Sequence, residues 1–423
     1  MRVLFNSGLG FRSNVRVDIG GSTSEGSCKI NYSTTDGVYN DNIKTTVNTL
    51  GRSNFENSHE FMNLIADKIK FAQDSNLSRI QDLGYPKSEN AIKNTAIFVP
   101  SRTYENTAMI LPNLKIFDNK PLVDVDFSDF KKLLKAKGVE VSDDMNFILL
   151  QDVLGAGLAV TKKLYDKGML EAGSAYTACI TGGGCGITDI KMTDPYGVTL
   201  MSSGSACLSN DSEIQKVSGE GASSKTMLKK FCKKLWLNDS LNERIIKCRK
   251  SEFVLTPTVT YQKNIVTNQL KEALIESGIF EVVNDSVDEY TVQVKKSEFN
   301  TYNAAREEAI DKYAKAFARL GVIKRNDSYN GMVITGPLAL AVDECSVTNY
   351  GKTLSDRIML YLTTQYNTTE FQKLKEVYPF NVFCGSDFSV KNNTDCGNLV
   401  HKVTFPGKNR SNWIRIDVKH LKG

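Results

Sequence analysis

Two glycine-rich turns, at residues 17–23 and 180–187, carry the residue types needed to bind an anion. Each turn ends an apolar run that predicts a strand. Because glycine has no Cβ, the backbone N–H groups of such turns can approach an anion closely. The residues at the two turns are Gly20, Gly21, Ser22 and Thr23 in the first, and Thr181, Gly182, Gly183, Gly184, Cys185 and Gly186 in the second.

Asp18 lies at the head of the first turn. A carboxylate there could hold hydrated Mg²⁺ while the turn amides and hydroxyls face phosphate oxygens. The alternative is an ordinary strand-end aspartate that caps its own loop. The turn is neither a Walker A loop, because no Gly-Lys-Ser/Thr follows, nor a dinucleotide fingerprint, because GxGxxG is absent.

Asp152 follows the apolar run 146–150 directly and precedes a segment rich in small residues. A carboxylate at such a strand end can accept the proton of a substrate hydroxyl as that hydroxyl attacks a γ-phosphate. An aspartate at a strand-to-helix junction can also act as a helix N-cap. Both readings stay open at this stage. Together with the two turns, Asp18 and Asp152 predict a cleft between two α/β halves that holds a polyphosphate.

Glu220 is flanked by glycines and is expected on a tight loop, where its carboxylate could bind sugar hydroxyls or could be an ordinary surface group. The three histidines, His59, His401 and His420, lie far from these motifs in sequence. The chain contains no Ser/His/Asp or Cys/His constellation and no His/Cys metal spacing.

The elements that must position these residues alternate between strands and helices, which predicts mostly parallel sheets with ligands at the strand ends. Residues 110–114 are expected to form a loop. A third glycine turn follows a strand at Gly336. Predicted strands cover 15–19, 29–33, 95–99, 146–150, 176–180, 331–335 and 413–418. Predicted helices cover 58–72 with Ser58 as N-cap, 126–137 ending at Gly138, 154–164 packed closely on the sheet, and 303–320.

Composition is that of a soluble globular chain of two domains, with 423 residues, 41% hydrophobic and 24% charged. The formal net charge of +5 gives no argument for nucleic acid or membrane as partner. Lys229, Lys230, Lys233 and Lys234 form a basic cluster at helical spacing, most simply a solvated helix face. Nine cysteines without a CxxC pair, and no apolar run long enough for a membrane span or signal peptide, favour a reducing cytoplasm. The sequence leaves open whether the protein forms a homodimer.

In this order the motifs resemble those of the sugar kinases in the superfamily of actin, hexokinase and the heat-shock chaperone ATPases, above all the ROK family and bacterial glucokinases. Residues 17–22 resemble the DxGGT phosphate-1 turn, and 182–186 the phosphate-2 turn. Residues 110–114 resemble the PNL sugar-proximal loop, and Glu220 the start of the sugar-binding GE loop. Gln151-Asp152 stands where the family has Asn-Asp, and 303–338 resembles the adenosine-proximal elements.

The resemblance implies a two-domain α/β fold of the ASKHA (ribonuclease H-like) type with an interdomain ATP and sugar cleft, a smaller domain over 1–150 and a larger one over 151–423. It implies transfer of the γ-phosphate of Mg-ATP to a hexose, most simply glucose. Asp152 would be the base, Asp18 would hold Mg²⁺ through water, and both turns and Gly336 would hold ATP. The sugar would be bound by Asn113, Gln151, Asp152 and Glu220.

Two departures from the family pattern concern the sugar side of the site. Gln151 replaces the family asparagine, and Ser223 stands where the family has histidine. The cysteine-rich zinc signature of many ROK proteins is also absent. Two alternatives therefore stay open, a catalytically weak sugar- or nucleotide-binding protein and an actin-like or chaperone-like ATPase with a protein partner.

Overall fold

The chain forms two compact units. The structure, a computed structural model, describes residues 12–20, 27–35, 43–47, 54–82, 90–116, 120–205, 222–248, 251–263, 266–364, 379–406 and 412–422. Unit 1 comprises Met1–Ala172, Met192–Ser202 and Asn392–Gly423, and unit 2 comprises Gly173–Lys191 and Ser203–Lys391. Each unit is described by itself below.

Unit 1 begins with strands and helices that alternate along the chain. In order they are β1 (Arg12–Gly20), β2 (Ser27–Thr35), β3 (Ile43–Val47), β4 (Asn54–Phe55), α1 (Ser58–Asp82), β5 (Ile92–Val99), β6 (Thr103–Tyr104), β7 (Thr107–Ile116), β8 (Pro121–Asp126), α2 (Phe130–Ala136), β9 (Val141–Gln151) and α3 (Asp152–Asp166). The domain boundary expected at residue 150 falls inside β9, and α3 belongs to unit 1.

The main sheet of unit 1 has the strand order β3-β2-β1-β5-β9. Strands β1, β5 and β9 run parallel, whereas β1, β2 and β3 are antiparallel neighbours. The expectation of mostly parallel sheets is therefore wrong for this sheet, because the segment after the first glycine turn returns as a hairpin instead of a helix.

Strand β1 buries both of its faces. Val15, Val17 and Ile19 are fully buried in the apolar core that α1 covers. The alternate residues Asn14, Arg16 and Asp18, here called the polar row, point to the opposite face, since successive side chains alternate across a strand. They are also nearly buried, so each of them needs a polar partner.

Two local predictions in unit 1 are wrong. The predicted loop at 110–114 lies within β7, and the register with β8 shifts between Leu111 and Lys115. Such an irregularity suits proline, which cannot donate to a ladder. Helix α1 begins at Ser58, but the cap is Asn57, whose side chain accepts the N–H of Glu60 at 2.9 Å.

Unit 2 has two sheets and most of the helices. In chain order its elements, two of which cross the unit boundary, are β10 (Ala175–Thr181), β11 (Cys185–Asp194), β12 (Gly197–Ser205), α4 (Ser224–Lys234), α5 (Asp239–Cys248), α6 (Glu252–Leu255), β13 (Thr258–Gln262), α7 (Asn268–Glu276), β14 (Phe280–Asp285), β15 (Glu289–Val294), α8 (Phe299–Asn326), β16 (Gly331–Thr335), α9 (Pro337–Tyr350), α10 (Leu354–Thr364) and β17 (Asn381–Phe383).

In unit 2, β10, β16 and β17 run parallel, and β11 pairs antiparallel with β10 across the second glycine turn. Helix α8, predicted over 303–320, is longer at both ends and lies in the core of the unit, where Tyr302, Tyr313 and Phe317 are fully buried. A second sheet, in the order β13-β15-β14, is antiparallel.

The chain then returns to unit 1 as a 3-10 segment, Asn393–Lys402, and a last strand, β18 (Trp413–Asp417), which pairs antiparallel with β12 as an added strand. Asn392 and Asp395 form a capping box at the start of the 3-10 segment. Within the described ranges, no helix combines the length and the apolar character that crossing a bilayer requires.

Candidate active site

Asp18 is the member of the polar row nearest the first glycine turn, and its carboxylate is held by Asn393 of the 3-10 segment. The Asn393 side-chain amide donates to Oδ1 at 2.8 Å, and the Asn393 backbone N–H donates to Oδ2 at 3.3 Å. Burial raises the pKa of Asp18, and these two hydrogen bonds partly oppose the increase because they favour the charged form. Asp18 is thus a fixed, poorly solvated carboxylate.

Asp152 is the first residue of α3, directly after β9. The N-cap residue is Gln151, in extended conformation, so the reading of Asp152 as the N-cap does not hold. Its Oδ1 accepts the backbone N–H of Val153 at 2.8 Å. Burial, and then the negative charge of Asp18, raise the pKa of Asp152 to about 7.

Helix α3 is brought close to the sheet at Gly155, as the small residues in its sequence predict. A Cβ at Gly155 would lie 2.7 Å from the Phe98 ring and 2.8 Å from the Asn393 carbonyl oxygen. The Asn393 side-chain oxygen also accepts the N–H of Ala156 at 3.2 Å. Asn393 therefore joins the strand that carries Asp18 to the helix that carries Asp152.

The two carboxylates form a site suited to a proton or a cation. Neither is in an ion pair within the described part of the chain, and the charge of Asp18 disfavours ionisation of Asp152. Oxygen ligands of this kind suit Mg²⁺, which keeps several waters in protein sites. The donor set therefore fits the ion that the resemblance implies.

The rest of the polar row is also covered by the 3-10 segment. Arg16 donates to Asn398 Oδ1 at 2.9 Å and to Ser33 Oγ at 3.2 Å, and Asn14 donates to Asn398 Oδ1 at 3.0 Å. Burial lowers the pKa of Arg16. Each residue of the polar row thus has a hydrogen-bond partner in the 3-10 segment.

The second glycine turn forms a tight connection between β10 and β11 in unit 2. The N–H of Gly182 bonds to the carbonyl of Gly184 at 2.9 Å, and the N–H of Ser224 in α4 bonds to the carbonyl of Gly182 at 3.0 Å. A Cβ at Gly182 or Gly184 would meet no described atom within 4 Å. The turn therefore presents open backbone, with the start of α4 against it.

Gly336 lies beside the start of the second turn. A Cβ on Gly336, whose φ is +99°, would lie 2.4 Å from the Thr181 carbonyl oxygen, so only glycine fits. The Thr181 hydroxyl lies 2.6 Å from the Tyr313 hydroxyl. Two of the predicted ATP-binding turns are thus packed against each other within unit 2.

Cys185 and Ser223 have structural roles. The Cys185 side chain is buried in the core, and burial raises the pKa of its thiol to about 12. A contact with phosphate would have to come from its main chain. Ser223 is the N-cap of α4, where its hydroxyl accepts the N–H of Thr226 at 3.4 Å.

Several predicted site residues fall outside what the structure describes. Gly21, Ser22, Thr23 and Glu220 lie outside the described residues, as does the side chain of Asn113. Gln151 is described and is almost fully buried at the end of β9. Gly183 and Gly186 lie on or next to the second turn. The sugar-binding residues therefore stay predictions.

The sequence analysis missed Asn393 and Asn398. The signal that could have located the segment is the capping-box pattern Asn392-x-x-Asp395, which predicts a helical start there. No sequence pattern indicates that this start lies against β1, because the contact joins residues 375 apart.

No sequence model of a known protein family matches the chain, and no curated protein sequence matches it. Solved structures are similar in fold. The glucokinase from Balamuthia mandrillaris in complex with glucose has 10% identity and a TM-score of 0.50, over 93% of this chain and 94% of that chain.

Two further structures have lower TM-scores. A putative sugar kinase from Cytophaga hutchinsonii has 12% identity and a TM-score of 0.46, over 91% of this chain and 96% of that one. A ROK family glucokinase from Streptomyces griseus in complex with glucose and AMPPNP has 10% identity and a TM-score of 0.45, over 92% and 96%. At such identities the first comparison shows the fold alone, which is the two-domain α/β fold of a glucokinase, as expected.

Proposed function

We propose that the protein is an ATP-dependent sugar kinase that transfers the γ-phosphate of Mg-ATP to a hexose hydroxyl, with glucose as the first acceptor to test. The observation that carries the proposal is the pair of carboxylates, Asp18 and Asp152, in which the pKa of Asp152 is raised to about 7. A general base is most effective when its pKa lies near the working pH.

Asp152 would accept the proton of the attacking sugar hydroxyl. The N–H of Val153 fixes Oδ1, so the carboxylate has a defined orientation before the sugar arrives. A base in fixed orientation avoids part of the entropic cost of bringing reacting groups together. Burial supports the same role, because a poorly solvated carboxylate takes up a proton more readily.

Asp18 would hold Mg²⁺ through water, with Asn393 keeping its oxygens in place. When bound, Mg²⁺ neutralises charge on the phosphates of ATP. In unit 2, the open glycine backbone at 182–184 would receive phosphate oxygens. The start of α4 lies against this turn, and the positive end of its helix dipole favours an anion.

A coupled assay of ADP release across hexoses and N-acetylhexosamines tests the proposal. Wild type should be active, with kcat/KM rising with pH as Asp152 ionises near 7. Asp152→Asn should lower kcat by about 10²- to 10⁴-fold, the usual contribution of a general base. The matched control, Asp166→Asn at the exposed end of α3, should stay within about twofold of wild type.

Other results would point elsewhere. Equal rates for wild type and Asp152→Asn would remove Asp152 from the mechanism. ADP release that does not depend on any sugar would favour an ATPase with a protein partner. Calorimetric binding of ATP or sugar without turnover would favour a binding protein.

A further inference from the structure

The outward face of α4 carries five lysines. The side chains of Met227, Leu228 and Phe231 are buried in the unit 2 core, and the lysines lie on the opposite half of the helix surface. Four of the five are exposed and Lys230 is partly exposed. The five are Lys225, Lys229, Lys230, Lys233 and Lys234.

No acidic residue accompanies these lysines in their own stretch of chain. Residues 222–238 contain no Asp or Glu, and the next acid along the chain is Asp239. None of the five lysines forms an ion pair within the described residues, whereas Lys247 and Arg244 of the neighbouring α5 are paired with Glu243 and Glu276.

The helix itself explains only part of this charge. Cations in the last turn are favoured by the helix dipole, which accounts for Lys233 and Lys234. Lys225 lies in the first turn, where the dipole disfavours a cation. The stability of the helix therefore does not by itself account for the lysines of α4.

Trp236, directly after α4, is unusual in two respects. Its side chain is 90% exposed, and its φ is +58°. The backbone N–H of Trp236 donates to the Lys233 carbonyl, and the backbone N–H of Leu237 donates to the Cys232 carbonyl. These two bonds form the Schellman arrangement at a helix end. Glycine is the usual residue at this position because it has no Cβ.

Two other helices of this protein have glycine at this position. Gly138 and Gly168 occupy the same position after α2 and α3, with φ of +72° and +68°. Trp236 thus takes a strained position and leaves its large ring in water, so it contributes little to the fold. We propose that the α4 lysines and Trp236, here called the lysine–tryptophan face, bind the surface of an anionic lipid bilayer.

The chemistry of the face favours a bilayer over a folded polyanion. All cations of the face are lysines on one side of a helix. Lysine acts as a point charge, whereas arginine suits bidentate recognition of individual phosphates, so the face suits a surface of spread negative charge. Tryptophan prefers the membrane–water interface, where its ring is buried and its N–H stays hydrated. Binding should be reversible and weaken with salt, because the charges are exposed.

Tryptophan fluorescence gives a direct readout, because the chain has only two tryptophans. In a Trp413→Phe background the emission reports on Trp236 alone. Vesicles of phosphatidylcholine with one third phosphatidylserine should shift this emission to the blue and co-sediment the protein. Pure phosphatidylcholine vesicles should do neither, and raising salt from about 0.1 M to about 1 M should release the protein.

Two pairs of variants separate binding from folding and from net charge. Trp236→Gly should weaken binding and raise the unfolding midpoint, whereas Ser328→Gly, at the same position after α8 with φ of +65°, should raise the midpoint and leave binding unchanged. Lys229→Glu with Lys233→Glu should weaken binding at least about tenfold, since each lysine near an anionic leaflet contributes roughly a fivefold factor. Lys132→Glu with Lys247→Glu changes the net charge equally at other exposed helix positions and should have a smaller effect.

Three outcomes would overturn the proposal. These are no co-sedimentation with anionic vesicles at low salt, equal losses in the two double variants, or no blue shift of Trp236 on binding. Tighter binding to a single-stranded RNA oligonucleotide than to the vesicles would assign the face to nucleic acid instead. The proposal does not rest on kinase activity, so failure of either leaves the other standing.

Discussion

At the scale of single residues, the raised pKa of Asp152 favours the proposed chemistry and lowers the stability of the fold. Its pKa is raised to about 7 because the charged form is poorly solvated and lies near the charge of Asp18. A raised pKa makes the carboxylate a better proton acceptor at neutral pH. The same shift means that ionising Asp152 costs folding free energy.

Asp152→Asn should therefore inactivate the protein and stabilise it above neutral pH. In wild type, the stability linked to Asp152 is fully present below its unfolded pKa of about 4 and is lost as pH rises through about 7. Asparagine cannot ionise, so the Asp152→Asn variant keeps this stability as the pH rises. The gain at pH 8 should be on the order of 1–2 kcal/mol, less than the full shift would give because the side chain is only half-buried.

Denaturant unfolding of both proteins at several pH values measures this effect. The two stability curves should lie close together near pH 4 and separate toward pH 8, with Asp166→Asn following wild type throughout. Parallel curves for wild type and Asp152→Asn would mean that the carboxylate is not destabilised in the fold.

At the scale of elements, α3 and the 3-10 segment Asn393–Lys402 hold the carboxylates together. The approach depends on Gly155, since any side chain there would meet the Phe98 ring and the backbone of Asn393. Leu154 and Ala156, which flank Gly155 in the chain, are both fully buried. Strain at this point would be transmitted to Asn393 and hence to Asp18.

Gly155→Ala should lower the free energy of unfolding by about 1–3 kcal/mol, the usual cost of overpacking, despite the better helix propensity of alanine. The proposed activity should fall with it. Gly321→Ala within α8 is the control, because its Cβ would meet the flexible end of Leu362 at 3.1 Å and not the backbone. Thermal unfolding of both variants tests the contrast, and a Gly155→Ala variant as stable as wild type would contradict the close packing.

The elements that bear Asp152 and the second turn were predictable because their sequences are locally consistent. The apolar run before Gln151, the small residues of α3 and the glycines at 182–184 each have one favoured structure. Strand β7 was not predictable, because a Pro-Asn pair is typical of a loop. The strand tolerates the pair only because its register with β8 is irregular there. The bond from Asn393 to Asp18 was not predictable either, since tertiary contacts leave no local pattern.

At the scale of the whole molecule, unit 1 is assembled from three separate parts of the chain. The last part supplies the 3-10 segment and β18. Without it, Asn14, Arg16 and Asp18 would lose their hydrogen bonds to Asn398 and Asn393, and α3 would lose its contact with Asn393 at Gly155. Each lost hydrogen bond costs about 0.5–1.5 kcal/mol, so the loss of several is a large part of the roughly 5–15 kcal/mol that stabilises an ordinary domain.

A chain that ends at residue 391 should therefore contain an unfolded unit 1. Limited proteolysis should cut it within residues 12–172 and spare the core of unit 2, which all comes from before residue 391. The protection of unit 2 is the internal control. Equal protection of both units in the shortened chain would show that the polar row does not need its cover.

Asp18 and Asn393 are 375 residues apart, so they leave the ribosome at different times during synthesis. At a synthesis rate of about 5–20 residues per second, the carboxylate of Asp18 leaves the ribosome roughly 20–75 s before the asparagine that will hold it. Unit 1 is begun first and completed last. During translation the polar row is therefore hydrated, and in a ribosome-bound chain the carboxylate of Asp18 is not yet fixed by Asn393.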